Sequence, residues 1–418
     1  MAGALSLLFL LGLSPAVCEE PPLSLDRAQA ALLESSLELR AARESVSAAE
    51  AEYRGALSGL LPKLSLSLSH TRAESRLSHA LSQTDNSTLG LSGSLPLFAG
   101  GANASALRKK GLELRRARAQ GKVAEAAALF ELRQAFARLL YAQEAIRLSD
   151  EVVRRREENV RLIRQKYEAG RESRAALLEV ESLLTASQWE RAKDEHGLRS
   201  ARTRLDQILE RPLTLEPTAE PVDPLPKPPA DMPDWTAEFE AHPSLLADRC
   251  SVDMGRESVA GARSGFFPTA DLDTAYNKVG SSRWGLQDRN WSWTLGIKLP
   301  FFSGGRTRAD TLAAQAELRK LQAEKSEAKD KLWIEAQDSL FAWREAAQWL
   351  DVADVSLKAA EARAWLVQSQ YSTGQTTYFE WRNVEEQLIS VKRQALAARR
   401  DLIIAHARFE KAMGRGVR

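Results

Sequence analysis

Two kinds of hydrophobic pattern alternate along this chain. Segments 26–60, 102–168, 172–210, 235–265, 306–372 and 376–413 are rich in Ala, Leu, Glu, Arg, Lys and Gln and poor in Gly and Pro, which favours helix over their full lengths. Within 102–168, Leu132, Leu139, Ile146, Val153, Val160 and Tyr167 recur every seven residues. Ala336, Trp343, Leu350, Leu357, Ala364 and Tyr371 keep the same register in 306–372. Such a stripe predicts a coiled-coil seam. Between the helices lie four segments of period two. In NWSWTLGIKLP, Trp291, Trp293, Leu295, Ile297 and Leu299 share one face, and Ser292, Thr294, Gly296 and Lys298 share the other. LSLSLS at 64–69 alternates as strictly, while TLGLSGSL at 88–95 and TADLDTAYNK at 269–278 do so more loosely.

The whole pattern occurs twice. LPLFAGGANASA at 95–106 returns as LPFFSGGRTRAD at 299–310, an offset of 204 residues. KYEAG, ending at Gly170, returns at the same offset as QYSTG, ending at Gly374. SGLLPKLSLSL around Pro62 and SGFFPTADLDT around Pro268 keep the order with a drift of two residues. The Pro-rich stretch 211–233 reads as an extended connector, because Pro sustains neither helix nor central strand there. The predicted organisation is a leader at 1–18, a first repeat at 19–210, the connector at 211–233, a second repeat at 234–413 and a tail at 414–418. Strands are expected at about 64–72, 88–97, 269–278 and 290–300, with long helices at about 102–168 and 306–372. A helix of about 67 residues runs roughly 100 Å, too long for a compact globule. The two shorter helices of each repeat together approximate one long one, so the expected wall has one continuous helix beside two stacked ones.

The apolar run from Ala4 to Leu13, followed by small residues, has the layout of a secretory signal peptide and is too short to span a bilayer. Cleavage after Cys18 is the preferred reading and lipidation of Cys18 the competing one. Cleavage leaves Cys250 alone, which excludes an intramolecular disulfide in the mature chain. A secretory leader also changes the reading of the strands. Segments of about ten residues with an apolar and a small or polar side suit transmembrane β-strands, although a half-buried soluble sheet shares the pattern. Two hairpins leave unpaired edges, which lipid does not tolerate, so several chains must share one barrel. Two chains would give an eight-stranded barrel filled by side chains, whereas a twelve-stranded barrel of three chains leaves an aqueous lumen. The polar hairpin loops are expected at 73–87 and 279–289, with Asn86, Ser87, Asn277 and Asp288 in or beside them, facing outside the cell.

Charge narrows the partners. Lys and Arg number 58 against 56 Asp and Glu, interspersed along the chain, which argues against nucleic acid. The sequence contains no GxxxxGK[ST], HExxH, paired CxxC or GxSxG motif. His70, His79, His196, His242 and His406 are scattered; His70 and His79 bracket one predicted loop and read as exposed side chains rather than metal ligands. Catalytic, cofactor-binding and metal residues are therefore not expected, and energy for any transport would come from a partner.

LPLFAGG and LPFFSGG, each ending a strand and opening a long helix, resemble the signature of TolC-type outer-membrane efflux proteins. The duplication and element order are similar too, from about Ser24 to Met413. The resemblance implies a mainly α fold with transmembrane β: a tandem-repeat coiled-coil helical barrel plus a β-barrel of four strands per chain, completed by a homotrimer. It further implies a Gram-negative outer-membrane location with a periplasmic tunnel, and contact with outer-membrane lipid. The implied partners are a periplasmic adaptor (membrane fusion) protein and an inner-membrane pump of the RND or ABC type. The implied function is a passive exit duct for efflux or type I secretion; the alternative is a periplasmic or secreted coiled-coil scaffold without channel activity. In physical terms, Pro96 and Pro300 are expected to end strand pairing, while Gly100, Gly101, Gly304 and Gly305 permit the bend into helix. Phe98, Trp291, Trp293, Phe301 and Phe302 are expected at the membrane interface. YEAGRESRAALLEVE and YSTGQTTYFEWRNVEE resemble the family's periplasmic tip, where Gly170 and Gly374 reverse the chain beside Tyr167 and Tyr371. These turns are the expected adaptor-docking tips. By motif position, Glu380 and Glu179 are the candidate pore-facing gate acids. A ring of such carboxylates would attract cations and be relaxed by protonation.

Overall fold

Helix-forming composition and period-two segments become a mainly α chain with one small sheet. The computed structural model describes residues 23–77, 80–210, 219–222, 224–229, 235–280 and 286–415. The proposed leader, His79, much of the connector and the end of the tail lie outside these. The first repeat contains α1 (Leu25–Ser35), α2 (Leu37–Leu57), β1 (Lys63–Leu77), β2 (Ala80–Ala99), α3 (Ala102–Glu168) and α4 (Arg174–Leu209). The second contains α5 (Thr236–Glu240), α6 (Pro243–Arg263), β3 (Thr269–Gly280), β4 (Asp288–Lys298), α7 (Arg306–Thr373) and α8 (Tyr378–Ala412). Contacts divide the chain into two compact units, one holding 132–225 and 352–400, the other holding 35–131 and 226–351. The sheet belongs to the second.

The helices expected over 26–60 and 235–265 are each broken, a departure with a local cause. At Ser36 the backbone turns to φ −59, ψ 122, and its hydroxyl accepts the Leu39 amide at 3.4 Å, starting a new helix. At His242 the backbone adopts φ −58, ψ 129, because the following Pro243 disfavours helical geometry before it. Its Nδ1 then accepts the Ser244 amide at 3.2 Å. The two breaks occupy equivalent places in the repeats.

In α3 the heptad stripe is buried at Leu132, Leu139 and Val160, half-buried at Ile146 and Val153, and exposed at Tyr167. A second stripe three residues on, Ala135, Ala142, Ser149, Arg156 and Ile163, is also buried. Hydrophobicity conceals it, since small and polar residues occupy most of its positions. Close helix approach is what small side chains at such a seam allow.

The four strands pair antiparallel in the order β1-β2-β3-β4. Leu66, Leu91, Tyr276 and Trp291 lie side by side, as do Leu95, Leu272 and Leu295. Directly opposed residues share a face, so the apolar positions of all four strands form one surface. Much of it is exposed: Leu64 is 75% exposed, Trp291 73% and Ile297 73%. The opposite face carries Ser65, Ser92, Ala275 and Ser292 in one row, and Ser94, Asp273 and Thr294 in another.

Two expectations about the sheet are corrected. Residues 73–77 and 80–87 are strand and not loop: β1 continues to Leu77 and β2 begins at Ala80. Asn86 and Ser87 stand in β2, Asn277 in β3 and Asp288 at the start of β4. Ladder hydrogen bonds need no apolar side chains, and here polar cross-strand contacts accompany them, with His70 Nδ1 3.0 Å from Ser87 Oγ. Pro96 does not end pairing either, since it opposes Asp271 and the ladder resumes at Phe98 after a bulge. A bulge is where a strand accommodates a residue without an amide hydrogen. Pro300, by contrast, follows the end of β4.

The turn after β2 needs glycine for two reasons. Gly100 and Gly101 have φ of 61° and 88°, a region that side chains disfavour. A Cβ on Gly100 would also lie 2.5 Å from the Ser264 carbonyl oxygen, whereas one on Gly101 would meet nothing within 4 Å. Gly101→Ala is therefore expected to cost about 1–2 kcal/mol, the left-handed penalty alone. Gly100→Ala should lower the thermal midpoint clearly further; equal midpoints for the two variants would refute the close approach.

Candidate functional site

The two chain reversals fold by the same rules. The Gly170 amide donates to the Tyr167 carbonyl at 2.9 Å and the Arg171 amide to that of Lys166 at 2.8 Å. The Gly374 and Gln375 amides donate in the same way to Tyr371 and Gln370, at 3.2 and 2.8 Å. This is the Schellman pattern, with glycine in the left-handed position at φ 67° and 83°. The Tyr-x-x-Gly spacing of both repeats thus places the tyrosine carbonyl where the glycine amide needs an acceptor.

The next helices start with side-chain caps. Ser173 Oγ accepts the Ala176 amide at 3.1 Å, and Thr377 Oγ1 accepts the Glu380 amide at 3.3 Å. Thr377 and Glu380 occupy the spacing of a capping box, a signal that the sequence reading passed over. Glu380 is exposed, and its carboxylate accepts from Thr376 Oγ1 at 2.8 Å rather than from the cap. Glu179 is bound within the chain, forming an ion pair with Arg382.

Around these turns a buried cluster joins the repeats through Val160, Ile163, Val180, Val367, Tyr371 and Trp381. Tyr371 stacks on Trp381 with centroids 4.7 Å apart and planes at 8°. Lys166 Nζ lies 3.7 Å from the Tyr371 ring centre, and the Tyr371 hydroxyl donates to Glu172 at 2.8 Å. Burial and the Glu172 carboxylate hold this phenol far above its ordinary range. Tyr167, its counterpart in the first repeat, is 39% exposed. Farther along, Arg155 and Arg156 of α3 reach Glu385 and Glu386 of α8, at 2.8 and 2.6 Å. The Glu385 side chain is only 2% exposed, and its burial raises the carboxyl pKa although the two arginines oppose that shift.

The junction residues lie in the other unit. Phe98, Trp291, Trp293, Phe301 and Phe302 are all exposed, Phe301 at 97%. Gly304 and Gly305 repeat the left-handed turn, with φ of 62° and 82°. No helix among the described residues is long and apolar enough to cross a membrane.

A duplicated order of broken helix, hairpin, long helix and capped reversal invites comparison with known families. The profile described as outer membrane efflux protein matches residues 29–210 and 238–415. The chain belongs to the outer membrane efflux protein family. Within it, the chain is 26% identical over 287 residues to the proteases secretion protein PrtF of Dickeya chrysanthemi, covering 65% of this chain and 62% of PrtF. It is 24% identical over 291 residues to the alkaline protease secretion protein AprF of Pseudomonas aeruginosa, covering 67% of this chain and 60% of AprF. The matched region thus spans less than two thirds of either relative. The solved structure of CusC superposes with a TM-score of 0.86 at 18% identity, covering 94% of this chain and 92% of CusC, which is a likeness of fold.

Removing Arg155 should expose the cost of the buried acid. Because the folded-state pKa of Glu385 is raised, its favourable contribution is present at low pH and lost as pH rises through that pKa. Arg155→Ala is expected to raise the pKa further and to cost about 3 kcal/mol at neutral pH. Thermal scans should show the variant losing more stability at pH 8 than at pH 5; the reverse order would contradict the assigned burial effect.

Proposed function

We propose that this protein is the outer-membrane exit duct of a tripartite efflux or type I secretion system, passing cargo delivered by an inner-membrane pump and periplasmic adaptor. The observation that carries this reading is the two-faced sheet. A continuous, largely exposed apolar surface lies on one side, a surface of small and polar residues lies on the other, and edge strands end it at both sides. Lipid supplies the missing environment for the apolar face, and shared strands in a homotrimer supply the missing edges. Family membership supports the same location and partners. The proposal gives no residue a catalytic role.

PrtF and AprF are named for protease secretion, and the family for efflux. A passive duct serves either, with selection assigned to the pump. The turns at Gly170 and Gly374, with Tyr167 and Tyr371, are the proposed adaptor contacts. Glu380 is the favoured gate acid because it is exposed, while Glu179 is already neutralised by Arg382. The exposed aromatics Phe98, Trp291, Trp293, Phe301 and Phe302 are assigned to the interface between lipid and water.

Single-channel recording in planar bilayers tests the reading. Detergent-solubilised protein is expected to insert as an SDS-resistant oligomer and conduct, with Glu380→Ala reducing cation preference and flattening its response to acid. A soluble protein that never inserts would sink the duct and favour the scaffold. A channel indifferent to Glu380→Ala would discard the gate assignment alone.

A further inference from the structure

On the apolar side of the second hairpin, the cross-strand rows form a series from the helix end toward the tip. Ala270 with Ile297 comes first, followed by Leu272 with Leu295, Thr274 with Trp293, and Tyr276 with Trp291. The next row breaks the series, with Lys278 directly opposite Arg289. Both are exposed, and neither side chain has an acidic partner among the described residues. Asp288 is adjacent in sequence but stands on the polar face, in line with Asn290 and Ser292. Like charges directly opposed across two strands repel each other. The first hairpin avoids this conflict. At the same level it carries Leu68 and Leu89, and beyond them His70 lies beside Asp85, with Nε2 3.6 Å from Oδ1. An unrelieved cation pair at one level of one hairpin calls for an anion from outside the chain.

We infer that Lys278 and Arg289 form a binding site for the phosphate groups of outer-leaflet lipid, with the phosphorylated glycolipid of a Gram-negative surface as occupant. The inference deepens the duct reading and rests on it, since the pair meets lipid only if the strands cross a membrane. Depth supports the assignment. Eight residues separate Ile297 from Arg289 on β4, about 27 Å of strand at 3.4 Å per residue. At a tilt of about 40° this is roughly 21 Å of depth, close to the ~25 Å apolar band of a membrane barrel. The cations therefore stand where hydrocarbon ends on the side of the hairpin tips, at the level of lipid phosphates. Arg offers a planar fork that holds two phosphate oxygens, and Lys offers a point charge beside it. With a phosphate between them, two charges that repel in the free chain share one counter-ion. On the helix side of the pair, the exposed Trp291, Trp293 and Leu295 line the path of the acyl chains.

Lipid binding to the detergent-solubilised full chain tests this. The shift in thermal midpoint is titrated with bis-phosphorylated lipid A and with its dephosphorylated form, in EDTA so that divalent cations form no bridges. The wild-type protein is expected to bind the phosphorylated lipid at least tenfold more tightly. Lys278→Gln with Arg289→Gln should remove that preference. Because these substitutions relieve repulsion, the variant without lipid should melt no lower than wild type, which separates lost binding from lost folding. Lys63→Gln with Lys298→Gln, which takes two cations from the polar face, should keep the preference. Inorganic phosphate should not reproduce the shift, because no acyl chains hold it at the sheet. No preference in wild type, a preference that survives without Lys278 and Arg289, or equal loss in the polar-face variant would overturn the inference. So would a lower lipid-free midpoint, or an equal shift with inorganic phosphate, which would mark a free-anion site. Any of these results from a conducting oligomer would leave the duct standing. A protein that neither inserts nor conducts would overturn both.

Discussion

Backbone polar groups have no solvent to turn to inside hydrocarbon, and this constraint governs what the sheet can be. Within one chain, β2 and β3 have partners on both sides, while β1 and β4 each present a free edge. The same sheet exposes Leu64, Trp291 and Ile297 on one face and lines the other with serine, threonine and glycine. Neither property suits an isolated molecule in water, where exposed edges invite pairing and apolar surface is a liability. Both are satisfied when strands of several chains close in lipid. The glycine turns that follow β2 and β4 redirect each strand into a long helix.

Duplication places nearly the same local structure in two environments. Each repeat breaks its first helix, at Ser36 and at His242, with different chemistry: one uses a hydroxyl cap, the other a proline and an imidazole. Each repeat reverses at a glycine below a tyrosine. The surroundings nevertheless diverge, because Tyr371 is buried against Trp381 and Lys166 while Tyr167 remains open. A chain of two repeats can supply one inter-repeat interface from within.

Charges at the helix reversals are largely committed within the chain. Arg382 holds Glu179, Arg155 holds Glu385, and Glu172 takes the Tyr371 proton donor. Most of these pairs link the two repeats, so they align neighbouring helices as much as they stabilise them. Glu380 differs in being exposed, and its amide, rather than its carboxylate, serves the helix start.

The sequence by itself determined the elements that depend on local rules. Period-seven burial at Leu132 and Leu139, period-two faces from Trp291 to Leu299, and the left-handed glycines all follow from steric and hydrophobic patterns within a few residues. The break before Pro243 was legible on the same grounds and was missed by weighing composition alone. Tertiary structure decided what distance along the chain conceals. The second helix stripe through Ala135, Ser149 and Arg156 is recognisable only once another helix lies against it, because small and polar residues carry no hydrophobic signal. The extension of β1 through 73–77 and of β2 over 80–87 depends on backbone pairing, to which side-chain alternation is blind. The partners of Glu179 and Glu385 sit some 200 residues away, and electrostatic pairing at that separation is set by the fold that brings the two repeats together.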